Sequence, residues 1–131
     1  MNYEFLRKKY NVKGFDILLE AAKLIFPNKP EKDIARFLER FLQNNISRVD
    51  HRGVTVGLIR SANIFHDNLA GTYSIRQDYN MYLFHKGIAA RYHALSCALT
   101  EVEARLLSEK KEIEKILSQT GNIEENQNQA I

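Results

Sequence analysis

The sequence predicts an all-α protein, a mainly helical bundle with one long C-terminal helix that carries a heptad repeat. Two patterns carry that expectation: apolar stripes at helical spacing between residues 15 and 42, and steps of four and three residues that run unbroken from Ile88 to Ile116. A composition of 44% hydrophobic and 27% charged residues over 131 positions suits one globular domain, too short for two cores.

Phe15, Leu18, Leu19, Ala22, Ile25 and Phe26 fall on one helical face opposite Asp16, Glu20 and Lys23, and Pro27 ends the run. In NKPEKDIARFLERFLQNN, Asn28 and Glu31 have the spacing of a capping box, with Pro30 in the first turn. Ile34, Phe37, Leu38, Phe41 and Leu42 then form an apolar stripe, with Lys32, Arg36, Glu39, Arg40 and Gln43 facing away. Asn44 and Asn45 are placed to end this helix.

Residues 46 to 77 read two ways. Val54, Val56 and Leu58 alternate with Thr55 and Gly57 as a strand would, whereas Leu58, Ala62, Phe65 and Leu69 share a helical face. Glycines 53, 57 and 71 weaken both readings. A helix from Val54 to Ala70 is preferred, with a short β-hairpin within 53–77 as the alternative.

The long helix is expected over about 78–118, closing a single domain over 1–118. Its seam is Ile88, Tyr92, Leu95, Leu99, Val102, Leu106, Glu109, Ile113 and Ile116. Ala89, Ala90, Ala94, Cys97 and Ala98 widen the apolar surface before Thr100, so the first part is expected to be wrapped by the core, with Cys97 an inert buried thiol. After Thr100 the flanking positions become charged, from Glu101 to Lys115. A narrow seam extending beyond a core needs a partner helix. Parallel pairing would oppose Arg105 and Lys110, whereas antiparallel pairing can set Glu103 near Lys110, or Arg105 near Glu112. A homodimer paired antiparallel through Tyr92, Leu95, Leu99, Val102, Leu106, Ile113 and Ile116 is therefore favoured over packing on an earlier helix of the same chain. Residues 119–131 read as a flexible polar tail.

The single Cys97 excludes an internal disulfide framework, and the N-terminal MNYEFLRKKYNV lacks the apolar core of a signal peptide, so a cytoplasmic protein is expected. No histidine pair has metal-ligand spacing and no phosphate-cradling glycine loop is present; neither a metal nor another cofactor is expected. Residues 1–60 hold twelve Lys and Arg against seven Asp and Glu, whereas residues 101–131 hold four against seven. Lys32, Arg36, Arg40, Arg48 and Arg52 could form one basic edge for nucleic acid or an acidic protein. Tyr73, Tyr79, Tyr82 and Tyr92 with Arg76, Lys86 and Arg91 could stack bases, although Tyr82, Leu83 and Phe84 also read as core.

The stretch RSANIFHD, with Arg60 and His66, resembles the Arg-x(4 to 6)-His motif of the HEPN superfamily, with serine after the arginine in place of Asn, Asp or His. That resemblance implies a small helical, often dimeric protein that cleaves RNA without metal, His66 acting as acid or base and Arg60 stabilising phosphate charge. The residues otherwise point to a non-catalytic regulator or adaptor that self-associates and binds nucleic acid or an acidic partner. A protein-directed chaperone or inhibitor is a further alternative.

Overall fold

A computed structural model describes residues 1–120 in full and the backbone of the last helix on to Gln129. Five α-helices follow one another: α1 (Tyr3–Tyr10), α2 (Phe15–Ile25), α3 (Glu31–Asn45), α4 (Val56–Ile75) and α5 (Tyr79–Gln129), with a 3₁₀ turn over Ile46–Arg48. The tail expected over 119–131 lies, apart from its first two residues, outside the fully described residues.

The N-terminal helix α1 is capped at both ends. Asn2 Oδ1 accepts the Phe5 amide proton at 2.9 Å, and Asn11, in the left-handed region at φ 45°, returns its own N–H to Arg7 O at 3.0 Å. Leu6 anchors the helix in the core. Along α2 the stripe of Phe15, Leu18, Leu19 and Ala22 is buried as its spacing requires, and the helix stops at Ile25, two residues before Pro27.

Helix α3 departs from expectation at its start. Pro30, not Asn28, is the N-cap, and it provides no side-chain hydrogen bond. Glu31 does not reach back as a capping box would; its Oε1 accepts the Tyr3 amide proton at 3.1 Å and ties α3 to the beginning of α1. The rest follows the stripe: Ile34, Leu38, Phe41 and Leu42 are buried. Asn45 ends the helix from within, its Nδ2 donating to Phe41 O at 2.8 Å.

The ambiguous stretch is helical. Thr55 caps α4 by accepting the Leu58 amide proton at 3.2 Å, and among the described residues the only sheet-like pairing is an isolated bridge between Asp50 and Gly53. The β-hairpin alternative for 53–77 therefore fails. Val54 and Val56 alternate because Val54 fills the core from the connection, ahead of the helix, while Val56 is already in its first turn.

A tight turn at Arg76–Asp78, with Gln77 at φ 61°, reverses the chain. Asp78 Oδ1 then accepts the Met81 amide proton at 3.3 Å and starts α5, which runs back along α4 and packs on α2. The seam divides in two. Tyr92, Leu95, Leu99 and Val102 are buried among α2, α3 and α4, whereas Leu106 is 41% exposed, Ile113 57% and Ile116 52%. No earlier helix covers the rod between Glu103 and Thr120, where every residue is exposed.

The wrapping before Thr100 is less complete than the alanines suggested. Ala89 and Ala98 are buried, but Ala90 and Cys97 face solvent, so Cys97 is an exposed thiol. Small residues there mark a face on which no helix lies. Tyr82 is only partly buried, and Leu83 and Phe84 are 64% and 57% exposed, so this part of the tyrosine cluster is not core.

Candidate functional site

Bulky rings hold α3 and α5 apart. Phe41 and Tyr92 meet edge to face at 5.3 Å, Phe37 and Tyr92 at 6.2 Å, and Phe26 from the end of α2 meets Phe37 at 5.0 Å. Edge-to-face contacts of this kind suit the ring quadrupoles and make a stiff platform. Above it the two helices leave a groove of about 470 Å³. Residues 33, 36, 37, 40 and 44 of α3 form one wall, and residues 84, 88, 91 and 92 of α5 form the other. Both sets repeat at steps of three and four, so each is one face of its helix.

Four cations line this groove, Lys29, Arg36, Arg40 and Arg91, against the single carboxylate of Asp33. Among the described residues none of the four lies within ion-pair distance of a carboxylate. Tyr92 is buried, and that burial pushes its hydroxyl pKa up against the opposing pull of Asn44 and Arg91. It therefore stays a neutral part of the floor.

The expected basic edge is split by the fold. Arg36 and Arg40 face the groove; Lys32 is exposed on α3 but does not line it. Arg52 is engaged by Asp50, which accepts from its guanidinium at 2.9 Å and from its backbone N–H at 2.8 Å. The Arg48 guanidinium sits 5.8 Å from the centre of the Phe65 ring. The tyrosine cluster divides too: Arg91 and Tyr92 join the groove, Tyr73 packs against α5, and Tyr79 is 61% exposed. Lys29 and Phe84 belong to the groove and were not singled out as binding residues. Their signal was faint, a lysine between two prolines and a phenylalanine that read as core.

Arg60 and His66 do not converge within the chain. Six residues along one helix put them about 120° apart around its axis. Arg60 is exposed, while His66 is half-buried against α5. There its Nδ1 lies 2.9 Å from Nδ1 of His85, itself buried. With ring centres 5.1 Å apart and planes inclined by 23°, both nitrogens lie near the line between the centres. The contact is thus an in-plane N–H···N hydrogen bond, not a face-to-face stack. One nitrogen donates and the other accepts, so the pair holds one shared proton in this bond. Tyr73 lies parallel to His85 at 5.5 Å, and Tyr92 meets His66 edge-on at 5.5 Å. Beside them Lys86 donates to Asp67 at 3.1 Å. Burial, followed by the neighbouring His85, pushes the His66 pKa down.

Comparison with protein families, with curated proteins and with solved structures finds no match to this chain. No helix among the described residues is long and apolar enough to cross a membrane.

Proposed function

We propose that this is a small non-catalytic helical regulator or adaptor that pairs with a second copy of itself and binds nucleic acid in the groove between α3 and α5. The observation that carries the reading is the groove's charge: Lys29, Arg36, Arg40 and Arg91 against Asp33 alone, with no ion pair to neutralise them among the described residues. Guanidinium groups present planar forks of donors that match phosphate oxygens, and three of them on two facing helix walls can hold successive phosphates. Self-association is supported by the free rod. Leu106, Ile113 and Ile116 continue a buried seam into solvent, with Glu103, Arg105, Lys110 and Glu112 arranged for antiparallel pairing.

Binding is favoured over RNA cleavage because Arg60 and His66 face different ways and His66 Nδ1 is engaged by His85. The test is a salt titration of binding to a labelled oligonucleotide by fluorescence anisotropy. Each phosphate released from contact reduces the slope of log affinity against log salt by about 0.7 to 0.9. Arg36→Gln, Arg40→Gln and Arg91→Gln together should flatten the slope by roughly 2 to 3. A slope unchanged by the triple substitution, or binding indifferent to salt, would refute the assignment.

A further inference from the structure

The groove carries more than charge. Cationic contacts to phosphates alone can hold a duplex backbone, with no need for an apolar floor. Here the cations stand on the rims of a cleft floored by Phe26, Phe37 and Tyr92, and Phe84 projects at its edge with 57% of its surface exposed. An isolated exposed phenylalanine needs no explanation, but this one shares a cleft with three guanidiniums that have no ion-pair partner among the described residues. Its ring is also oriented by a neighbour: it meets His85 edge to face at 5.1 Å, and His85 is tied to His66 on α4. A volume of about 470 Å³ lies in the range of small-ligand clefts and has room for one nucleotide.

We propose that the groove seats a single unpaired nucleobase, stacked on Phe84, while Arg36, Arg40 and Arg91 hold the phosphates on either side of it. The ligand is therefore a single strand, or a flipped or looped-out nucleotide, and the site discriminates it from intact duplex. This rests on the nucleic-acid reading above and adds the form of the ligand. In a duplex both faces of each base are covered by neighbours, so only the phosphates could engage and Phe84 would remain bare. An acidic protein surface would satisfy the arginines, but covering Phe84 would require an aromatic side chain placed among its carboxylates, whereas every nucleotide carries a flat ring beside its phosphate. Base–aromatic stacking is tolerant of sequence, because every base has a π face, so the seat should show little base preference.

The experiment compares oligouridine with a base-paired hairpin of similar length, using the full chain. Phe84→Ala should weaken the single strand roughly tenfold and leave the hairpin within about twofold. Phe84→Tyr should restore single-strand binding, since the ring is what the base contacts. Because Phe84 is largely exposed, the variants should fold, and circular dichroism checks this. Loss of both ligands with the arginine variants but of neither with Phe84→Ala would overturn the base seat while leaving nucleic-acid binding intact. Equal affinity for hairpin and single strand in the unsubstituted protein would also overturn it. Failure of every oligonucleotide to bind, with polyglutamate binding in its place, would remove both the seat and the reading beneath it.

Discussion

Replacing Leu106 and Ile113 together by alanine isolates the free half of α5 from the rest of the protein. Neither residue belongs to the core, which ends along this helix at Val102, so the substitution should leave the fold of one chain unchanged. Leucine and isoleucine each lose three carbons, and each buried carbon contributes about 0.8 kcal/mol. Leu106 is 41% exposed and Ile113 57%, and covering that exposed share would contribute about 1.0 and 1.4 kcal/mol respectively. Two copies of both sites therefore contribute about 5 kcal/mol to a symmetric pair, which converts to a rise in dimer Kd of about three thousandfold. Sedimentation equilibrium across a concentration series should show the unsubstituted chain as a dimer and the variant as a monomer, and at dilutions where both are monomeric their melting temperatures should agree. Val102→Ala is the contrasting case: that side chain is 1% exposed, so its loss should lower the melting temperature. Two results would refute the reasoning: an unsubstituted chain that stays monomeric at the highest soluble concentration, or a dimer whose Kd does not move with the double substitution.

Two further outcomes follow from local geometry. The His66 pKa is pushed below its ordinary value of 6.5 by burial and by His85, so on acidification below that value the unfolded chain takes up its proton before the folded one does. The stability due to neutral His66 is thus fully present above about pH 6.5 and declines as pH falls towards the folded value. Urea unfolding across that window should show the decline, and His66→Phe should flatten it; an unchanged profile in the variant would contradict the assignment. Gly53 sits at φ 79°, and a Cβ there would run into the Lys13 carbonyl. Gly53→Ala should cost about 2 kcal/mol or more, whereas Gly14→Ala, at the same φ with open space around it, should cost only the left-handed strain of about 1 kcal/mol. Equal losses in chemical denaturation would show that the contact with Lys13 is not what selects glycine.

Much of the fold is legible because it depends on periodicity. The stripes of α2 and α3 and the seam from Tyr92 to Val102 bury most of the side chains their spacing nominates, with Ile25, Phe26 and Phe37 only partly buried. What the spacing does not reveal is how far a neighbour reaches. The apolar surface around Ala90 and Cys97 looks like core but lies open, since small side chains are equally compatible with a bare helix face. The first helix has few apolar residues and one buried anchor, Leu6, so its periodic signal is weak and its definition comes from Asn2 and Asn11 at its ends. In the capping box, the local signal of Asn28 and Glu31 is overridden by a tertiary demand, because Glu31 serves the amide of Tyr3.

The candidate site was visible only in halves. Arg36 and Arg40 stand out on the polar face of α3, and Arg91 and Tyr92 in the aromatic stretch of α5, but nothing local joins residues some fifty positions apart. The same holds for His66 and His85, whose partnership exists only because the turn at Arg76–Asp78 folds α4 back on α5. The in-plane bond between them commits His66 Nδ1 to a structural contact, a demand that the sequence motif around Arg60 cannot display.

Helix α5 ties these parts together, because its successive thirds serve different ends. Phe84 to Tyr92 form one wall of the groove, Tyr92 to Val102 fill the core, and Leu106 to Leu117 lie free. At 1.5 Å per residue, Phe84 and Ile113 lie about 43 Å apart along the axis, well beyond the range at which substitutions couple directly. Groove and seam should then act independently on a single chain: Phe84→Ala should not change the dimer Kd, and Leu106→Ala with Ile113→Ala should not change the affinity of one groove for a short strand. Dependence between them should appear only on a strand long enough to occupy two grooves, where pairing converts the second contact into an intramolecular one and raises overall affinity by an amount set by the rod's reach. That dependence on strand length distinguishes a dimer that positions two sites from a dimer that merely stabilises each.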